Sequence, residues 1–442
     1  MNRSGWCRRH PKLISEMAIG TQEAIEECRP RGRKRGGTQG AAAGFRGMAA
    51  VFALLTFVSA GSYGQGQSQT KVYQQGPQWV EEFSGFAPLS HVLKVMMSVG
   101  AIHLEGGGSE QISYTVKERC VRSTQEAARK IFDQFRVFTA RKADTTIIQG
   151  DWLGGKELND LIADVFVQVP RSVDAVALNA KDGNITVRAI RAKLDAETSA
   201  GNIDLDQIAG AVKAHTSGGF VTAGTLSGDA QLRSGAGNVQ ATLIGGKATL
   251  WTAGGTTSLG SAPWCSLETL AGNITVQHCG GDLRAVSGGG SIDIGDVGGN
   301  VFAQTGGGRI RLNSSLGQVM AATGGGTVEL HKLGRGAQVD SGVGAISVEF
   351  AGSPRTFSDS SLRTASGDVI VYMADSLPIT VHAASDMTRG PGIKSDFPEI
   401  RITSEGGNYG PKSMFAEGAL NGGGPVLKVR TTIGQIEFHR TK

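Results

Sequence analysis

The sequence has few cysteines, few prolines and few aromatic residues. Of its five cysteines, Cys7 and Cys28 lie in the first 47 residues, which leaves Cys120, Cys265 and Cys279. Three is an odd number and excludes a disulfide framework, so either one bridge joins Cys265 to Cys279 or the thiols are free and buried. The 12 prolines accompany 66 glycines without a Gly-X-Y period, which excludes collagen. Aromatic residues make up only 6% of the chain, a composition that suits narrow, repetitive β structure.

The chain also lacks an excess of positive charge outside its N-terminus. Residues 1–47 hold ten of the 44 Lys and Arg residues and four of the 39 acidic residues. The remainder has 34 basic and 35 acidic residues and is close to neutral. Such a surface offers no electrostatic footprint for a phosphate backbone, so we expect no nucleic-acid partner.

Long hydrophobic runs are absent as well. The run "AAVFALLTFVSAG" after Met48 is too short to span a bilayer and ends in small residues, as a secretory signal does. We expect a signal peptide over 48–64, with cleavage before Gly61 or near Gly64. Residues 1–47 are then either a basic leader or are not translated. The mature chain is expected to have no membrane span and to lie in the periplasm, at the cell surface or outside the cell.

Glycine, by contrast, is abundant and periodic. Ten glycines precede apolar pairs at intervals of 18 residues, with one interval of 17 between Gly255 and Gly272. The series is Gly183, Gly201, Gly219, Gly237, Gly255, Gly272, Gly290, Gly308, Gly326 and Gly344. A fixed period of this size is typical of a solenoid, in which each coil buries its apolar face by stacking on the next.

Each 18-residue unit contains two strand patterns. The second and fourth positions after the glycine are mostly aliphatic, as in Ile310 and Leu312, and polar residues alternate with them. A second glycine follows nine residues later in most units. We therefore predict an all-β, single-stranded β-solenoid (β-helix-like) with ~18-residue coils, each having two short strands and two glycine turns. The turn glycines, expected at positive φ, include Gly201, Gly219, Gly237, Gly290, Gly308, Gly326 and Gly344.

The flanks of the repeat have a different pattern. We assign 65–94 to a linker, 95–180 to an N-terminal β/α cap, 181–350 to the solenoid repeats and 351–442 to irregular C-terminal coils and a cap. Apolar residues at helical spacing, after a Ser-Thr capping pair, predict a short helix within 123–138. Caps are expected because an open solenoid end exposes unpaired strand edges.

Several segments together resemble a known family, the bacterial exported proteins with an adhesin-like β-strand repeat domain of unknown function. The resemblance covers most of residues 95–440 and rests on "VGAIHLEGGGSEQISYTV", "VFVQVPRSVDAVALNAKDGNITV", the recurring "TSGG", "SAGNI" and "TGGG" units, "LRTASGDVIVYM", "IKSDFP" and "NGGGPVLKVRTTIGQIEF". It implies export and a β-solenoid fold. It supplies no catalytic motif, and fold alone does not supply function.

One row of outward positions contains candidate catalytic carboxylates. Asp293 and Glu329 fall at the third position of units two coils apart, about 10 Å, with Arg311 between them. Glycosidases use two carboxylates about 5 to 9 Å apart. We expect instead a cross-strand run of salt bridges on a solvated face, and we do not expect an enzyme.

Metal and cofactor motifs are not evident. The segment "GGGSIDIGD" at 288–296 only superficially resembles a calcium repeat, and "GGKAT" at 245–249 lacks the residues of a phosphate loop. We therefore predict no metal and no cofactor.

Three aromatic residues are candidate ligand contacts. Trp251 and Phe302 fall on outward positions, and Trp264 lies in the 17-residue coil. Exposed aromatic residues can stack on sugar rings or fill a partner's pocket. For Trp264 we favour a structural role, in which its ring plugs a gap in the irregular coil. The candidate ligand-binding residues are thus Trp251, Trp264, Phe302, Asp293, Arg311 and Glu329.

These patterns favour an exported, non-enzymatic β-solenoid that acts as an adhesin-like or envelope interaction or structural module. Its partner would be an envelope component, a surface protein or a glycan. The alternative is a carbohydrate-active or carbohydrate-binding solenoid that uses Asp293 and Glu329.

Overall fold

The computed structural model describes residues 70–108, 110–155, 161–353, 355–388, 392–406 and 412–441. The chain divides into the units Met1–Tyr63 and Gly64–Lys442, and all described residues belong to the second. The expected leader (1–47) and signal peptide (48–64) lie outside the described residues.

Two long β-sheets make up almost the whole of the described chain. The strands of sheet A are β1 (Lys71–Gln75), β2 (Gln78–Ala87), β4 (Ile102–Gly106), β5 (Ile112–Cys120), β8 (Ile162–Val169), β10 (Ile185–Arg188), β12 (Ile203–Asp206), β14 (Val221–Leu226), β16 (Val239–Ile244), β18 (Thr257–Ala262), β20 (Ile274–Cys279), β22 (Ile292–Val297), β24 (Ile310–Ser315), β26 (Val328–Leu333), β28 (Ile346–Phe350), β30 (Val369–Met373), β32 (Ile393–Ser395) and β36 (Ile436–Arg440).

The strands of sheet B are β3 (Val92–Met97), β6 (Phe135–Lys142), β7 (Thr145–Trp152), β9 (Ala175–Ala180), β11 (Lys193–Thr198), β13 (Val212–Thr216), β15 (Ala230–Ser234), β17 (Lys247–Thr252), β19 (Trp264–Thr269), β21 (Leu283–Ser287), β23 (Val301–Thr305), β25 (Val319–Thr323), β27 (Ala337–Val343), β29 (Ser360–Ser366), β31 (Ile379–Thr388), β33 (Arg401–Glu405), β34 (Lys412–Leu420) and β35 (Val426–Ile433). The helix α1 spans Gln125–Phe132.

The predicted β-solenoid is confirmed. Within the repeat, each coil contributes one strand to sheet A and the next to sheet B. Each of these strands pairs in parallel with the equivalent strand of the following coil. Residues 18 apart are direct neighbours, as Ile292 and Ile310 are in β22 and β24. Because strands alternate their side chains, the aliphatic positions of both sheets face inward and form one continuous core.

The turn glycines are required by close packing of successive coils. A Cβ on Gly308 would overlap the backbone carbonyl of Gly290 one coil earlier, and the same clash recurs at all seven predicted turn glycines. The expected positive φ, however, holds only for Gly344, at +149°. Positive φ was therefore the wrong reason for glycine at the other six, where a side chain is excluded because the backbones stack directly on one another.

A buried ladder of hydroxyl groups holds these corners together. Near the end of twelve sheet B strands, a Ser or Thr hydroxyl donates to the carbonyl of the turn glycine of the adjacent coil, and eight of these hydroxyls also accept from the amide of their own turn glycine. Thr305 Oγ1, for example, donates to Gly290 O at 2.7 Å and accepts from Gly308 N at 3.3 Å. Hydroxyls that donate in this way belong to Thr198, Thr216, Ser234, Thr252, Thr269, Ser287, Thr305, Thr323, Ser341, Thr364, Ser385 and Thr431.

The single 17-residue interval arises at the corner between β18 and β19. Only Pro263 separates these strands, whereas Gly245 and Gly246 separate β16 from β17. The same coil places Thr257 at an inner position that is aliphatic in neighbouring coils, and its buried hydroxyl has no hydrogen-bond partner among the described residues.

Antiparallel strands and the helix cap the parallel ladders. In sheet A, antiparallel pairing joins β1 to β2, β2 to β5 and β5 to β8. In sheet B, β6 pairs antiparallel with β7, and β34 pairs antiparallel with both β31 and β33. Residues 71–87, which the sequence analysis assigns to a linker, form β1 and β2. The helix predicted within 123–138 begins after the N-cap Thr124 and ends at Phe132, because the chain from Phe135 onward pairs with β7 instead.

Candidate functional site

The outer faces of the two sheets display side chains in straight rows. On sheet A the row of third positions runs in register through Asp204, Thr222 and Gln240 and continues to Ser347. Strand spacing in a sheet is about 4.8 Å, so the 13 parallel strands from β4 to β36 extend over about 60 Å. Side chains on this surface recur at a spacing that the buried ladder fixes.

The candidate carboxylates lie where the repeat places them. Asp293 pairs in register with Arg311, and Arg311 with Glu329. The expected salt-bridge run does not form, because the ion pair of Asp293 is with Arg309 at 3.1 Å. Among the described residues, no ion pair joins Arg311 to either carboxylate. The reason is that Arg309, at the corner before β24, reaches the same carboxylate from the side.

Trp251 and Phe302 lie half-buried on the outer face of sheet B. The guanidinium carbon of Arg284 lies 4.6 Å from the centre of the Phe302 ring, so a cation covers part of that ring. Trp251 lies between Arg233 and Glu268 of the neighbouring strands. The structure brings neither residue together with Asp293 or Glu329, which belong to sheet A.

The gap-plugging role expected for Trp264 is wrong. Its side chain is 53% exposed, and its ring lies against the backbone of Gly281 in the following coil. At the shortened corner, Pro263 is the single residue between β18 and β19. Trp264 therefore remains available at the surface.

Cys265 lies in this irregular coil and Cys279 in the following one, and both are free and buried. Cys265 Sγ donates to Ala262 O at 3.7 Å, and Cys279 Sγ donates to Asp282 O at 3.4 Å. Of the two alternatives left open by the sequence, the structure has buried free thiols.

A pair of stacked rings marks the first coils of sheet A. His103 in β4 and Phe166 in β8 are direct neighbours on the outer face, with ring centroids 4.7 Å apart and ring planes within 10°. Phe166 is 42% exposed. The two stacked rings form an aromatic ridge on the outer face of sheet A.

Two depressions lie beside this ridge, and His103 lines both. One depression, of about 520 Å³, also contains the ion pair of Arg119 with Asp164, together with Asp182 and Asn184. The other, of about 450 Å³, is lined by Phe166 and by the polar residues Glu105, Gln168, Thr186, Arg188 and Asp204. We call His103, Phe166 and these polar residues the ring platform.

The imidazole of His103 is shifted toward its uncharged form. Burial lowers the pKa of its imidazole below the usual value, and although Asp164 opposes this shift, Arg119 and Arg188 add to it. A neutral imidazole has one N–H donor and one nitrogen acceptor. The platform therefore offers two rings, carboxylate acceptors, an amide and a hydroxyl on one surface.

His103 and Phe166 were not among the residues predicted from the sequence, although a signal was present. Both stand at polar positions of alternating strands, His103 between Ile102 and Leu104 and Phe166 between Val165 and Val167. An aromatic residue at an outward position was recognised only inside the repeat.

Within the described residues, no helix is both long and apolar enough to cross a membrane. No group of three or more His, Cys, Asp or Glu side chains in the same part of the chain is placed to hold a metal ion.

Comparison with protein-family models finds no match for this chain, and no curated protein matches it. The family resemblance is therefore not confirmed.

Among solved structures, the chain is similar to a candidate adhesin from Bacteroides fragilis (10% identity, 82% of this chain and 97% of that chain covered, TM-score 0.21). It is also similar to a candidate cell adhesion protein from Clostridium sporogenes (9%, 81% and 99%, TM-score 0.14) and to a candidate adhesin from Parabacteroides distasonis (12%, 82% and 97%, TM-score 0.20). With identities and TM-scores this low, nothing about the function of this chain follows from these likenesses.

Proposed function

We propose that this chain is an exported, non-enzymatic interaction module that acts in an adhesin-like manner at the cell envelope. The observation that supports this most is the outer face of the parallel ladder, on which side chains recur in register over about 60 Å. An extended partner can contact such a surface at several equivalent points.

The buried hydroxyl ladder makes this surface suitable for binding. The turns that follow the sheet B strands are tied to the adjacent coil by Ser or Thr hydroxyls and pack on it through glycine, so the spacing of the outer rows is held from within. A surface ordered before a partner arrives loses less conformational entropy on binding.

The carbohydrate-active alternative has weaker geometric support. Asp293 and Glu329 lie on strands two coils apart, with Arg311 on the strand between them. Asp293 is also engaged by Arg309. A surface that binds without cleaving fits these residues better.

Protease shaving of intact producing cells, compared with lysed cells, tests the proposed function. Mass spectrometry would identify released peptides and the mature N-terminus, with a cytoplasmic protein of the same cells as the control for lysis. We expect peptides from residues 183–350 from intact cells. If their release required disruption of the envelope, the adhesin-like role would be refuted and an internal envelope scaffold favoured.

A further inference from the structure

We propose that the ring platform binds a neutral oligosaccharide. The first argument is the exposed aromatic surface: His103 and Phe166 stack at 4.7 Å, and Phe166 remains 42% exposed in spite of that contact. The C–H faces of a sugar ring are apolar and pack on aromatic faces, whereas its rim of hydroxyl groups needs hydrogen-bond partners. A binding surface for a sugar therefore combines rings with polar groups at the same level.

The second argument is that the required polar groups lie beside the rings. Thr186 is the in-register neighbour of His103, and Gln168 and Glu105 lie opposite each other in the next row of the same strands. Arg188 and Asp204 extend the polar surface over the following two strands. The four strands β8, β4, β10 and β12 cover about 14 Å, enough for more than one sugar ring.

The third argument is charge, which decides the class of sugar. Four carboxylates, those of Glu105, Asp164, Asp182 and Asp204, line the two depressions with only two guanidinium groups. Both guanidinium groups are paired, Arg119 with Asp164 and Arg188 with Asp204, the latter at 3.8 Å. A uronic acid, sulfate or phosphate group would meet a net negative surface, whereas a neutral sugar can use carboxylates as acceptors for its hydroxyls.

The shape of the platform also favours a sugar chain over a protein partner. The two depressions are shallow openings on either side of a ridge one ring pair wide. A stable protein interface buries about 800 Å² on each partner around a desolvated centre, whereas these rings stand among charged and polar side chains.

Isothermal titration calorimetry of the purified protein with cellohexaose, xylohexaose, maltohexaose and the acidic control hexagalacturonate tests the proposal. The variant Phe166→Ala removes the ridge. The matched control is Phe220→Asn, because Phe220 is 52% exposed at a sheet corner where neighbouring coils have asparagine. A second variant, Asp204→Asn, removes the negative charge of this side chain and keeps its size.

We expect at least one neutral hexasaccharide to bind, and hexagalacturonate to bind more weakly or not at all. Phe166→Ala should lose at least tenfold in affinity, whereas Phe220→Asn should keep wild-type affinity. Asp204→Asn should weaken binding without altering the melting temperature. The proposal is overturned if no neutral hexasaccharide binds, if the acidic one binds best, or if Phe166→Ala binds as wild type does. It rests on the proposed function, but binding is measured on purified protein and exposure on cells, so the two failures give different results.

Discussion

Glu118 provides a quantitative test of how the N-terminal cap is built. It lies on the inner face of β5, where it is 1% exposed, and it pairs in register with Glu81 of β2. Its Oε2 atom has no hydrogen-bond partner in the described part of the chain. Burial, reinforced by the charges of Glu81 and Asp133, raises the pKa of this carboxyl group to about 9. Glu118 is therefore protonated in the folded protein at neutral pH.

The sign of the pH dependence follows from this shift. The unfolded chain releases the Glu118 proton near pH 4.5, whereas the folded chain keeps it until about pH 9. Between these values the folded state binds more protons, so the free energy of unfolding falls as the pH rises. At pH 7 the free energy of unfolding is lower than at acid pH by about 3 kcal/mol, because each pH unit above 4.5 costs about 1.36 kcal/mol. A glutamine at this position has an uncharged amide in place of the carboxyl group and cannot ionise in the unfolded chain.

We therefore expect Glu118→Gln to stabilise the cap by about 3 kcal/mol at pH 7 and to have little effect near pH 4.5. Hydrogen exchange of the β2 and β5 amides, compared with wild type at each pH, measures this locally. Glu197→Gln, on the exposed outer face of sheet B, is the control and should show no such pH-dependent difference. An unchanged difference between Glu118→Gln and wild type from pH 4.5 to 7 would refute the account of the cap.

Three further substitutions test the corners and the core. Gly308→Ala places a Cβ against Gly290 and should cost about 2 kcal/mol or more, whereas Gly307→Ala, with open space around it, should be neutral or slightly stabilising; equal melting temperatures would contradict this. Thr305→Val leaves two buried backbone groups without its hydroxyl and should lower stability by about 2 kcal/mol in denaturant titrations, and no loss would show the ladder to be dispensable. Thr257→Val removes a buried hydroxyl that is unpaired among the described residues, so it should raise the free energy of unfolding by about 1 kcal/mol and with it the melting temperature. A lower melting temperature would contradict this.

The periodic part of the fold could be predicted from sequence, because the same local pattern is repeated in coil after coil. The aliphatic pair Ile310 and Leu312 predicted an inward-facing strand, and the 18-residue spacing placed it beside Ile292. The reason for the glycines could not be read in the same way. The clash at Gly308 involves a carbonyl one coil away, which exists only once the coils stack.

The ring platform was harder to predict because its two rings come from distant segments outside the repeat. His103 and Phe166 are 63 residues apart, and no period relates β4 to β8. Similarly, Arg309 replaces Arg311 as the partner of Asp293 because of how the corner before β24 directs its side chain, which strand register does not specify.

Native mass spectrometry of the purified protein incubated with the same neutral hexasaccharides tests the central claim most directly, because it detects both complexes and shortened sugars. The account predicts an intact hexasaccharide bound to the wild-type protein, with no shortened products and with the complex lost in Phe166→Ala. Shortened sugars that disappear in the double variant Asp293→Asn and Glu329→Gln would contradict it, and would make the chain a carbohydrate-cleaving enzyme.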